Sequence, residues 1–175
     1  MTKRREILSD DAMATKLELG NRLFFRLYQS ANMLHKTGSR AVEAEGLTTQ
    51  QWAILGALSR KPAEGGMAVG DLARYLMVSR QNLAGLLSRM ERDGHIAVAP
   101  DPRDRRSRLV TMTEAGRHVW RDLALPKIYA YYGEILADFS INDTVHMLHY
   151  LLKILHAMQR LDAAAPSDPI EDAAE

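Results

Sequence analysis

Cysteine is missing altogether from the 175 residues. That excludes disulfides, thiolate metal sites and thiol-based redox sensing. Net charge is scarce as well. The chain has 23 Lys and Arg against 22 Asp and Glu, so as a whole it does not announce a polyanion partner. No apolar run approaches the length that spans a bilayer. The start, MTKRREILSDD, is charged and lacks a signal-peptide core. A cytoplasmic protein without membrane contact is therefore expected. There is no Ser/His/Asp order, phosphate loop or paired carboxylate. The chain is not expected to be an enzyme, and no cofactor is expected.

What is present is apolar content and an uneven charge distribution. A hydrophobic fraction of 46% is ample for a core. The length suits one domain, or one domain with an added dimerisation layer. Between Arg74 and Arg108 stand eight arginines and four acids, a local balance of +4. The stretch from Asp162 to Glu175 has five acids and no base. Such asymmetry marks a localised basic footprint.

The basic stretch from Ser79 to Met112 organises the rest. Its first half carries Leu83, Leu86, Leu87 and Met90 at i, i+3, i+4, i+7, which predicts a helix with one apolar face. The other face begins Ser79, Arg80, Gln81, Asn82 and thins to Ala84, Gly85 and Ser88. Hydrogen-bonding groups at a helix N-terminus, with small residues behind them, suit entry into a DNA major groove. Ile96–Ala99 and Ser107–Met112 alternate in period two and predict a two-stranded hairpin. Its tip, Asp101-Pro-Arg-Asp-Arg-Arg-Ser-Arg108, is loaded with arginine. A surface helix followed by a solvated turn would explain either half alone. The two in succession point to nucleic acid.

Around this stretch the pattern is helical. Residues 1–16 are polar and read as a short helix or a frayed arm. A long helix is expected from Leu17 to about Glu45, stopped by Gly46. Thr48 and Gln51 form a capping box for the next helix, with Leu47 and Trp52 as a hydrophobic staple. Ala68–Met77 predicts a short helix with a poor start, and Val78-Ser79 is the tight turn of a helix-turn-helix. Thr113 can cap a further helix that Pro126 should kink or break. Ser140 and Asp143 cap the last one. That helix, with Leu148, Leu151, Leu152 and Leu155, is too apolar to face water unless the first helix or a second copy of the chain covers it.

In this order the chain resembles the MarR family of winged helix-turn-helix regulators, over roughly residues 19–161. The resemblance rests on Gly70-Asp-Leu-Ala73, Ser79-Arg-Gln-Asn-Leu83 and Arg89-Met-Glu-Arg-Asp-Gly94. It rests further on Asp101-Pro-Arg-Asp-Arg-Arg106 and Leu109-Val-Thr-Met-Thr-Glu-Ala-Gly116. Asp101, Arg103 and Arg106 match the family's Asp-x-Arg-x-x-Arg wing signature. His95 and Ala68 depart from it, standing where the family usually has an aliphatic residue and Ser or Thr.

The resemblance implies a mainly α fold, a winged helix-turn-helix flanked by long N- and C-terminal dimerisation helices. The expected divisions are an arm (1–16), a dimerisation helix (17–46) and the DNA-binding domain (47–112). C-terminal dimerisation helices (113–162) and a disordered acidic tail (163–175) follow. It also implies a homodimer on a pseudo-palindromic double-stranded operator. Most members are repressors, released by a small aromatic acid or its coenzyme A thioester.

Arg80, Gln81 and Asn82 are expected to read base edges, with Ser79 first a cap and then a phosphate contact. Arg103, Arg105, Arg106 and Arg108 cannot all enter one minor groove. Arg106 or Arg105 is expected to insert while the others hold phosphates and Asp101 and Asp104 shape the loop. An effector pocket would draw on Phe25, Tyr28, His35, Arg40, Trp52, Tyr129 and Tyr132, though core packing accounts for each of these taken singly. His146 and His149 are near enough to share a metal, but structural or dimer-contact roles are favoured and no metal is expected. The rival function is a helical protein-interaction module without sequence-specific DNA binding.

Overall fold

The computed structural model describes residues 10–102 and 104–164, the Arg105 side chain excepted. The expectations for residues 1–9, for Arg103 and for the tail from 165 lie outside them. The chain divides into two units, one ending at Tyr131 and the other beginning at Tyr132.

In the first unit, α1 (Asp10–Ala41) starts well before Leu17, so residues 10–16 are helix and not arm. Asp10 and Asp11 sit in its first turn, where acids complement the helix dipole. It ends at Ala41, short of Glu45. Val42 leaves the helical region at φ −119° and is fully buried, and a separate 3₁₀ turn, Glu43–Glu45, is closed by Gly46 at φ +69°. α2 (Thr49–Leu58) begins with the expected capping box. The Thr48 hydroxyl accepts from the Gln51 amide, and the Gln51 side chain accepts from the Thr48 amide. Gly38 lets α1 close on α2, since a Cβ there would stand 3.1 Å from the Trp52 ring. Leu47 and Trp52 are both buried.

α3 (Val69–Leu76) has no side-chain cap, in keeping with Ala68, and turns into α4 (Arg80–Arg92) through Met77 at φ +57°. The wing is β2 (Ile96–Asp101) and β3 (Asp104–Met112). A third strand joins it, the two-residue β1 (Met67–Ala68), giving the antiparallel order β1-β3-β2. The hairpin read from the sequence is thus one strand short. Two residues carry no readable alternation. In the register Val98 faces Val110 and Ile96 faces Met112. Ile96 and Val110 are buried, and Val98 and Met112 are partly so, packed on the core. The core also holds Ile54, Leu55, Leu72, Leu83 and Met90.

After the wing, Thr113 caps α5 (Glu114–His118) as expected. Pro126 neither breaks the helix nor stops it. A π-helical stretch, Val119–Ala124, leads directly into α6 (Leu125–Ile135), with the Leu125 amide bonded five residues back to the Trp120 carbonyl. A proline has no N–H to donate and crowds the carbonyl four residues before it. The wider π turn absorbs that conflict while the helix continues. Buried Ala124 and Ile128 tie this segment to the core.

The second unit holds the end of α6 and α7 (Ile141–Asp162), opened by the Ser140–Asp143 capping box. No residue of α7 is buried, and Leu148, Leu151, Leu152 and Leu155 are all exposed.

Candidate nucleic-acid interface

The helix α4 is fixed from three sides. At its start, the Ser79 hydroxyl accepts from the Asn82 amide at 3.2 Å. Along its inner face Leu83, Leu86, Leu87 and Met90 are all buried. At its end Gly94 adopts φ +78°, where L side chains are strained, and the Gly94 and His95 amides return to the Glu91 and Met90 carbonyls. What remains outward is Arg80, Gln81, Asn82, Ala84, Gly85 and Ser88, every one exposed. The Arg80 guanidinium lies back over Gly70, 3.7 Å from where a Cβ would stand. A side chain of that reach at a helix start can bridge guanine O6 and N7, and Gln81 and Asn82 can bridge adenine N6 and N7. The Ala84, Gly85 and Ser88 face allows the helix to approach base edges closely.

The wing is locked to this helix. Glu91, on the last turn of α4, accepts from the Val98 amide of β2 at 3.0 Å. Sequence reasoning gave Glu91 no role. Nothing in its spacing signals the link, because the partner is a backbone amide seven residues away. At the tip Asp104 accepts from the Arg106 amide at 3.0 Å, and Asp101 is buried. Both acids therefore belong to the loop's own architecture. Arg106 is exposed, whereas Arg108 donates to the Val98 carbonyl at 3.1 Å and lies along the wing.

Behind the wing a second junction forms. The Thr113 hydroxyl donates to the Gly94 carbonyl at 2.6 Å and caps Gly116, while the Thr113 amide donates to the His95 carbonyl. Gly116 touches the same turn so closely that a Cβ would fall 1.9 Å from the His95 carbonyl oxygen. The ends of α4, β3 and α5 thus meet in one knot. In the π-helical stretch after α5, Asp122 is flanked by Arg121 and His118, both within 2.9 Å. Hydrogen bonding from Arg121 first, then His118, holds the Asp122 carboxyl below the usual carboxylate range and raises Arg121.

Of the seven expected effector residues, six are exposed. Phe25, Tyr28, His35, Arg40 and Tyr129 are exposed in the first unit, and Tyr132 is exposed in the second. Trp52 is buried, edge-on to Tyr131 at 6.1 Å. A cleft of about 480 Å³ opens elsewhere, between the end of α2, the base of the wing and the π turn, and none of those seven residues lines it.

The MarR family model matches residues 45–107, the helix-turn-helix and most of the wing. The transcriptional activatory protein BadR of Rhodopseudomonas palustris is 71% identical over 168 residues, 96% of either chain. The homoprotocatechuate degradative operon repressor of Escherichia coli is 32% identical over 63% of this chain and 72% of its own. Among solved structures, the PcaV regulator of Streptomyces coelicolor, in complex with its natural ligand, superposes with a TM-score of 0.64. It is 26% identical and covers 79% of this chain and 92% of its own. With a relative this similar over nearly its whole length and the family model on its central third, the chain belongs to the MarR family of winged helix-turn-helix transcriptional regulators, DNA-binding proteins that are not enzymes.

Proposed function

We propose that the protein is a ligand-responsive regulator that binds a pseudo-palindromic operator as a homodimer in the cytoplasm. The observation that carries this reading is the pairing of a capped recognition helix, polar face outward, with a wing that Glu91 locks beside it. Residues 47–112 form the DNA-binding domain. Arg80, Gln81 and Asn82 read base edges, Arg106 or Arg105 enters the minor groove, and Ser79, Arg103 and Arg108 hold phosphates. The helices on either side, 17–46 and 113–162, form the dimer. The exposed apolar residues of α1 and of α7 support that role.

Ligand response works by population shift. An effector that binds better to one spacing of the two recognition helices than to another shifts the dimer toward it, and operator occupancy changes as that spacing approaches or leaves one helical turn, about 34 Å. The effector class is an aromatic acid or its thioester. The E. coli relative is named for an operon that degrades an aromatic acid, homoprotocatechuate.

The relatives differ on the sign of regulation. Release from an operator describes a repressor, and the E. coli relative is named as one. The R. palustris relative is named an activator at more than twice the identity, so we read the sign here as activation. A transcriptional fusion to the regulated promoter tests it. Deleting the regulator gene lowers expression if the sign is activation and raises it if the sign is repression. DNA binding itself is tested by anisotropy with duplex from upstream of the protein's own gene. Affinity no greater than for a scrambled duplex would favour the protein-interaction module.

A further inference from the structure

Glu45 carries a buried carboxylate that lies outside the DNA-binding surface described above. It ends the 3₁₀ turn Glu43–Glu45, between the close of α1 and the start of α2. Its side chain is only 7% exposed. One oxygen, Oε1, accepts from the Lys127 ammonium of α6, 82 residues along the chain. The other, Oε2, is buried and has no hydrogen-bond partner among the described residues. A buried carboxylate costs more than one ion pair offsets unless its remaining lone pairs are satisfied. Lys127 keeps almost half of its side chain in water, which weakens the attraction further. An apolar pair of similar volume would hold α6 here at least as well. Stability therefore does not explain why charges stand at this place. A directional tie with a single partner does what an apolar contact does not: it fixes where α6 sits against the turn.

A second polar tie lies one turn further along α6. The Tyr131 hydroxyl and Thr37 Oγ1 of α1 are hydrogen-bonded at 2.7 Å, and the Tyr131 ring stands edge-on to Trp52 of α2. Lys127 and Tyr131 are four residues apart, so they share one face of α6. Their partners, Glu45 and Thr37, bracket the corner at which α1 hands over to α2. Between those two, Val42 is fully buried and Gly38 brings α1 against the Trp52 ring. On the side of α6, Ala124 and Ile128 enter the same core. α6 thus clasps the corner at two points, with apolar packing between them. The corner joins the flanking helix α1 to the first helix of the winged domain, so the clasp fixes the angle between the two.

We propose that Glu45 is a positioning residue: its tie to Lys127, with the Tyr131–Thr37 bond, sets the angle of α1 to the winged domain and through it the spacing of the two recognition helices, so that the protein selects the distance between operator half-sites. This rests on the dimeric, operator-binding reading above. The role asks no DNA contact of Glu45 or Lys127. Loss of the tie leaves each winged domain able to read its own half-site and changes only how the two are held apart.

The test uses the full-length protein and a duplex of about 30 base pairs that the wild type selects from a random pool, long enough for two half-sites one turn apart. The same duplex is made with one or two base pairs inserted at its centre of symmetry. Each insertion moves the half-sites apart by about 3.4 Å and rotates one against the other by about 35°. Wild type should prefer the selected spacing over a one-base-pair insertion by about tenfold or more. Glu45→Leu combined with Lys127→Met should keep a thermal midpoint at or above that of wild type and lower the preference to about threefold or less. Glu45→Gln, which removes the charge and keeps the shape, should lower the preference too and carries the test if the double variant fails to fold. A pair that merely stabilises would shift the midpoint and weaken every duplex alike. A preference unchanged in these variants therefore overturns the proposal, whatever the midpoint, and leaves the dimeric reading standing. A wild type that selects no duplex, or binds a single half-site as tightly as the selected one, overturns that reading and the proposal with it.

Discussion

Among the wing arginines, contacts separate roles that composition leaves equal. Arg108 is already committed to the Val98 carbonyl, while Arg106 is exposed on a backbone pinned by Asp104. Arg106→Ala should weaken operator binding by about 1–3 kcal/mol, and Arg108→Ala by less, in titrations at physiological salt. Equal losses, or none at Arg106, would reverse that ranking. Gly116 makes a sharper case. A methyl group there would collide with the His95 carbonyl oxygen at 1.9 Å, a backbone atom that cannot rotate aside. Gly116→Ala should lower stability by about 2 kcal/mol or more, read from urea midpoints. At this scale the sequence disclosed chemistry better than geometry. Arg80 to Asn82 were legible as outward-facing from the leucine spacing on the opposite side. Gly116 and Glu91 were not, because each is fixed by a backbone atom of a different element.

Helix starts are written locally, and all four capping predictions, around Thr48, Ser79, Thr113 and Ser140, match the observed bonds. Each needs only residues three apart. Thr48→Ala should cost about 1 kcal/mol, seen as a lowered thermal midpoint. For α7, the Ser140 hydroxyl and amide both donate to Asp143 and hold its carboxyl below the usual range. A carboxyl lowered on folding stabilises above its ordinary range, and that contribution disappears as pH falls through the lowered value. Acid titration by circular dichroism should therefore show helix loss at low pH that Asp143→Asn shifts or flattens. Helix ends were read less well. α1 stops at Ala41 because Val42 turns into the core, a tertiary demand that no local signal carries. The same holds for Pro126, whose conflict with the helix is relieved by the six-residue π-helical stretch before it.

At the scale of the molecule, the winged domain buries most of its large apolar residues, Tyr75 and Met77 excepted, but the flanking helices do not. Leu19, Leu23, Phe24 and Phe25 on α1, and Leu148, Leu151 and Leu152 on α7, stand at 43–59% exposure. Apolar faces of that extent call for a partner surface. In the proposed reading, a second copy of the chain covers them, since a pseudo-palindromic operator would be read by two winged domains. Leu148→Arg combined with Leu151→Arg should yield monomers in sedimentation equilibrium and weaken operator binding by at least about tenfold, because the second half-site is then bound without the help of the first. The excess of leucine in the last helix made this need legible before any fold was known. The cleft behind the wing was not legible, since its lining runs from Leu58 to Leu125 with no shared motif.

The central claim is that Ser79 to Met112 docks on duplex DNA. Its most direct test is the affinity of the full-length protein for duplex from upstream of its own gene, measured across a salt series. Log affinity should fall linearly with log salt at about 0.9 for every phosphate neutralised, and the duplex should be preferred over a scrambled one at each salt. Weak binding that is independent of both salt and sequence would contradict it.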